Sequence, residues 1–124
     1  MVEMMQALHK FFSKLRVNCY PAGQVPPGAA FPLLTWEAVA GRFGHASAVT
    51  ATVWYDGADA NYLRANMLDQ VLSLIPEEGA RVDMPKGFLL VERGSDFIQL
   101  TTDPAHPGLL GGRIRLNLRR YGAT

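Results

Sequence analysis

Three histidines and a single cysteine are the residues of this 124-residue chain best suited to holding a metal, and their spacing works against it. His9, His45, His106 and Cys19 share neither a CxxC nor an HxxxH interval, so no local element delivers two of them to one ion. Nucleophilic catalysis needs a serine or cysteine activated by a histidine that a carboxylate orients. Ser47 stands two residues from His45, but residues at i and i+2 of a strand point outward in parallel, and no GxSxG elbow is present. Hydrolysis by paired carboxylates needs two acids flanking a cleft, whereas Glu77 and Glu78 are neighbours in a solvated turn after a helix. Gly111-Gly112-Arg113 leads into no helix, which a phosphate-cradling loop requires. These residues point away from an enzyme, and they imply neither a metal nor another cofactor.

What the chain does concentrate is arginine. Arg113, Arg115 and Arg119 share one face of the final strand, with Asn117 between them and Arg120 on the other side. Two readings stand. One is a solvated strand face, where arginine also discourages edge-to-edge pairing. The other is a docking face for an acidic partner surface, or for phosphate along a DNA channel, because guanidinium forks bind both bidentately. An RNA-binding sheet would interleave aromatics with these bases, and here only Tyr121 follows them. The net charge of +1 gives no overall pull toward nucleic acid or an anionic membrane. Charge is nevertheless segregated along the chain. Acids outnumber bases from Tyr55 to Asp103, whereas Gly108 to Thr124 holds four arginines and no acid. Such segregation suits head-to-tail association through opposite surfaces.

The elements that must position these side chains read as one α+β domain over residues 1–124, a length that supports a single core. A composition of 48% hydrophobic and 19% charged residues excludes a disordered chain. Met4, Met5, Leu8, Phe11, Phe12 and Leu15 recur at helical spacing, opposite Glu3, Gln6, Lys10, Ser13 and Lys14, with Asn18 as a stop. The few basic residues favour a helix docked on a sheet over one lying on a membrane surface. Residues 20–32, YPAGQVPPGAAFP, contain four prolines interspersed with glycine and predict no regular element. They read as a surface arm able to reach a neighbour, with Pro26, Pro27 and Gly28, like Arg113, Arg115, Arg119 and Arg120, expected at a protein interface. A strand follows from Phe31 to Trp36, bounded by Gly41 and Gly44, and another from His45 to Tyr55. Asp59 or Asn61 caps a second helix running to Ile75, with Leu63, Met67, Leu68, Val71, Leu72, Leu74 and Ile75 on its apolar half. The remainder is β: Ala80 to Met84, then Phe88 to Glu92 and Asp96 to Thr102 joined by a hairpin at Arg93-Gly94-Ser95. His106 falls in a Pro-flanked loop. The last strand, Arg113 to Arg119, turns Ile114, Leu116 and Leu118 to the core. The sum is a mostly antiparallel sheet of five or six strands carrying two helices. Cys19 has no partner for an intramolecular disulfide, as in proteins made in a reducing cytosol. Charges run through the first sixteen residues, and no apolar run reaches the roughly 18–20 residues that cross a bilayer, so neither a signal peptide nor a membrane span is expected.

This layout is similar to that of the tail-terminator, or tail-completion, proteins of long-tailed bacteriophages and prophages. The similarity is carried by an N-terminal helix, the Pro/Gly stretch ending in FPLLTW at 31–36, and a strand closing on Val53-Trp54-Tyr55. An apolar helix with Ile75-Pro76-x-x-Gly79 follows, then FLLVER at 88–93, DFIQL at 96–100 and a final arginine-rich strand. It covers most of the chain and includes no catalytic motif. The resemblance implies a structural virion protein. Copies would form a ring, typically hexameric, that caps the head-proximal end of the tail tube, ends its polymerisation and joins it to the head. Its partners would be further copies of itself, the major tail tube protein and a head-completion or connector protein, with DNA passing non-specifically through the lumen. The location implied is the neck end of the virion tail, after synthesis in the bacterial cytoplasm. Another neck or head-completion protein of the same particle, or a small ligand-binding α+β domain, are the alternative readings.

Overall fold

The computed structural model describes residues 2–39 and 47–122, and over these the chain forms two helices and six strands. In chain order they are α1 (Val2–Ser13), β1 (Asn18–Pro21), β2 (Leu33–Val39), β3 (Ser47–Asp56), α2 (Ala60–Leu74), β4 (Ala80–Met84), β5 (Gly87–Asp103) and β6 (His106–Tyr121). His45, together with Gly41 and Gly44, lies outside the described residues. The strands make one sheet in the order β1-β2-β3-β6-β5-β4. Four of its five pairings are antiparallel and β1-β2 is parallel, so the expected α+β class holds in this broad form.

One face of the sheet is apolar because each strand alternates. Leu34 and Trp36 of β2, Val49, Ala51 and Val53 of β3, and Ile114, Leu116 and Leu118 of β6 are all buried in a single cluster with both helices. From α1 that cluster takes Met4, Leu8, Phe11 and Phe12, and Leu15 just beyond the helix. Met5, expected inside, is 37% exposed. The helix stops at Ser13 rather than continuing to Asn18, and Arg16, at φ 59°, turns the chain into β1. α1 touches both β1 and β4, the two edges of the sheet. Six flat strands would hold those edges about 24 Å apart at the usual spacing, so the sheet curls around this helix. α2 lies over β3 and β6.

Three sequence expectations are corrected. Tyr20 and Pro21, expected within the irregular stretch, end β1, which pairs in parallel with Leu33 to Trp36. Proline is tolerated there because β1 is an edge strand and its outer side needs no donor. No hairpin turns at Arg93-Gly94-Ser95. β5 runs on through these residues, and a large bulge between Arg93 and Ile98, with Asp96 at φ 53°, lets it pair with β6 on both sides. The reversals fall instead at Pro85-Lys86 and at Pro104-Ala105, where the Asp103 carboxylate accepts the Ala105 N–H at 2.9 Å. Finally, β6 begins at His106, not Arg113, so that histidine opens a strand.

Candidate functional site

The residues whose types could do chemistry stand apart. His9 is exposed on α1, His106 is at the start of β6, and Glu77 and Glu78 are exposed in a turn closed by the Gly79 N–H on the Pro76 carbonyl at 2.9 Å. Cys19 is half-buried on β1, its thiol 3.3 Å from the Val17 carbonyl. Burial pushes its pKa up, which keeps it a thiol and a poor nucleophile at neutral pH. Among the described residues no group of three or more His, Cys, Asp or Glu is placed to hold a metal. Gly111 and Gly112 lie inside β6 for a packing reason. A Cβ on Gly111 would sit 2.8 Å from the Trp54 ring, and one on Gly112 would sit 2.9 Å from a Leu68 methyl. The pair lets Trp54 cover one face of the sheet and α2 approach the other.

The sheet face turned away from the helices carries the arginines. Arg113 faces Thr52 of β3 and Gln99 of β5, Arg115 faces Thr50, and Arg119 faces Leu90. Alternation along β6 therefore brings all three to the outer face, with Asn117 in the same row. Arg120 points to the other face, beside Leu89, and is engaged within the fold. The three differ in what holds them. Arg119 is tied to Glu92 at 2.9 Å, Arg115 lies 4.0 Å from Asp96, and Arg113 has no acidic partner among the described residues. A groove of about 380 Å³ opens above Thr35, Thr50 and Thr52, walled by Arg113, Arg115, Glu37 and Ala22. It exists because three short threonines on adjacent strands are flanked by long side chains. The charge segregation read along the chain is partly erased here, since β5 brings Glu92 and Asp96 against the basic strand. Tyr121 is stacked on Phe88 at 5.1 Å, and the Arg81 guanidinium lies 4.0 Å over Phe88, so these aromatics are engaged with each other.

The Pro/Gly stretch borders this groove through Ala22, whose N–H reaches the Trp36 carbonyl at 2.8 Å. Pro26, Pro27 and Gly28 are exposed in a turn closed by the Ala29 N–H on the Pro26 carbonyl at 3.1 Å. The arm is thus a crossover between two parallel strands, tethered at both ends. Its eleven residues, 22–32, can project at most about 18 Å from the sheet edge.

Sequence reasoning missed Arg64. It is only 8% exposed, and its guanidinium donates to the carbonyls of Gly111 at 3.3 Å and Thr101 at 3.5 Å and to Asn61 Oδ1 at 3.0 Å. The inner stripe of α2 is Ala60, Arg64, Met67, Leu68 and Val71, whereas Leu63 and Leu72, expected in the core, are 42% and 41% exposed. The signal was present in the i, i+4, i+7 spacing, but a charged residue on an apolar stripe is read as an interruption.

Replacing Arg113, Arg115 and Arg119 together by glutamine is expected to change unfolding free energy by less than about 1 kcal/mol, the worth of exposed ion pairs. Urea denaturation measures it. A loss beyond about 2 kcal/mol would mean that these side chains hold the fold together.

No protein-family model matches the chain, and no curated protein matches it. Among the described residues no helix is long and apolar enough to cross a membrane.

Proposed function

We propose that this chain is a structural subunit of a long-tailed bacteriophage or prophage particle, of the tail-terminator type, and not an enzyme. Copies assemble as a hexameric ring on the head-proximal end of the tail tube, end its polymerisation and present the surface that the head-completion or connector protein meets. The layout of the sequence suggests this reading. The observation that supports it most is the division of the fold into two sides. The helices fill one side of the sheet, while the other offers aligned arginines and a polar groove bordered by a tethered loop. DNA would pass through the ring lumen without contacts that read its sequence.

The test is to add the purified chain to polymerising major tail tube protein and examine the tubes by negative stain and native mass spectrometry. Shortened tubes bearing a six-copy ring at one end are expected. Tubes of unchanged length, with the chain monomeric at every concentration and absent from the tubes, would overturn the reading. Deleting Ala22 to Gly28 is a second measure. The four residues left can bridge about 17 Å. The gap from Pro21 back to Leu33 is about 11 Å, three residues of rise plus one strand spacing. The domain should therefore keep its thermal unfolding and lose most of its capping. Unfolding of the deletion variant would place the loop in the core instead.

A further inference from the structure

Unneutralised charges of opposite sign stand at the outer groove and in the stretch of chain that forms α2. On the outer face Arg81 is paired with Asp83 and Arg119 with Glu92, both at 2.9 Å. Arg115 keeps Asp96 at 4.0 Å, beyond hydrogen-bond length, and Arg113 has no acidic partner among the described residues. The stretch from Asp59 to Gly79, α2 and its flanking turns, exposes Asp59, Asp69, Glu77 and Glu78, and its one base, Arg64, is buried under α2. None of those four acids has a cationic partner among the described residues. Glu77 and Glu78 are the one adjacent pair of them, held in a short turn that ends α2.

We propose that the Glu77–Glu78 turn of one subunit seats in the Arg113–Arg115 groove of the next, an interface that rests on the ring reading and specifies it. Arg113 and Arg115 are two residues apart on a strand, so their Cα atoms lie about 6.7 Å apart. Adjacent glutamates have Cα atoms about 3.8 Å apart and side chains that diverge, so each carboxylate meets one guanidinium fork. The hydroxyls of Thr50 and Thr52, on the groove floor, donate to the remaining carboxylate lone pairs. Because groove and turn are different parts of the subunit's surface, one over β2, β3 and β6 and the other at the start of edge strand β4, the contact is heterologous. It repeats head to tail and closes into a ring where the rotation allows. A nucleic-acid strand suits the groove less well. Glu37 lines it and Asp96 stands against Arg115, and a phosphate every few ångströms would meet both acids. Lys10, Lys14 and Arg16 are a competing cationic surface, but two of the three are lysines, which lack the guanidinium fork.

Charge exchange tests this. R113E/R115E and E77R/E78R are compared singly, as an equimolar mixture, and combined in one chain, by native mass spectrometry and sedimentation, with tube protein present. Thermal unfolding of each variant verifies the fold. Each double variant should lose self-association by about tenfold or more, and the mixture and the four-fold variant should recover to within about threefold of wild type. Wild-type assembly by either double variant, or loss in both with recovery in neither combination, would overturn the interface and leave the ring reading standing. Recovery of E77R/E78R by K10E/K14E/R16E in place of R113E/R115E would move the contact to α1 and overturn it too. So would duplex DNA binding that R113E/R115E abolishes while self-association persists. A wild-type chain that never associates, alone or on tubes, removes the ring itself and the interface with it.

Discussion

Leu116→Ala is expected to lower the unfolding free energy by about 2–5 kcal/mol, a large share of the roughly 5–15 kcal/mol of a small domain. Leu116 is 1% exposed on β6, between Val49 of β3 and Arg93 of β5. β6 occupies an inner position of the sheet and lies beneath α2, so the lost methyl groups leave a cavity walled by several elements that cannot all move in. Urea denaturation reads the effect as a lower midpoint with an unchanged m-value. A change below about 1 kcal/mol would show that α2 settles into the space, and that the helix is held less firmly on the sheet than its burial implies.

That Leu116 is core is legible in the sequence, because β6 alternates without interruption from Arg113 to Arg119. The same rule failed one strand earlier. Glycine and serine after Arg93 are what a turn would use, and a bulge uses the same residues, since both need the backbone to leave the pleat locally. Asp103-Pro104 carried the true turn signal, hidden by the long strands on either side of it. β1 was missed for a different reason. Its four residues carry no periodicity of their own and are strand only because β2 lies beside them, a non-local pairing.

The candidate site divides in the same way. Which arginines share a face follows from alternation, so Arg113, Arg115 and Arg119 were together on paper and are together in the fold. Which of them is neutralised depends on β5 and its bulge, and no local pattern in β6 encodes where Glu92 and Asp96 will stand. The threonine floor was likewise visible only as alternation in β3. It becomes a groove when Thr35 of β2 and the arginines of β6 arrive on either side of it. Arg64 shows the converse limit. Its burial depends on two sheet carbonyls in reach of its guanidinium, and these lie 37 and 47 residues away in sequence.

Gly87→Ala should be at least as damaging as the core truncation, although it adds only one methyl group. Gly87 follows the two-residue turn at Pro85-Lys86, with φ 136°, a region that L side chains avoid. A Cβ there would overlap the Tyr121 carbonyl oxygen and lie 2.9 Å from Gly122 Cα, so backbone meets backbone with no side chain to swing aside. Holding alanine in that conformation costs about 1–3 kcal/mol, and forcing atoms into filled space costs about another 1–3 kcal/mol. The strain would fall on the Phe88–Tyr121 stack and on the Arg81 guanidinium above it, which close this end of the sheet. Gly57→Ala is the matched control. Gly57 has φ 107° but nothing within 4 Å of its added Cβ, so it should show the conformational part alone. In urea denaturation Gly87→Ala should therefore be the more destabilised of the two by about 1–3 kcal/mol. Equal losses would mean that the end of β6 separates freely from the β4-β5 turn, and that the close approach of Gly87 and Gly122 contributes nothing to holding the sheet.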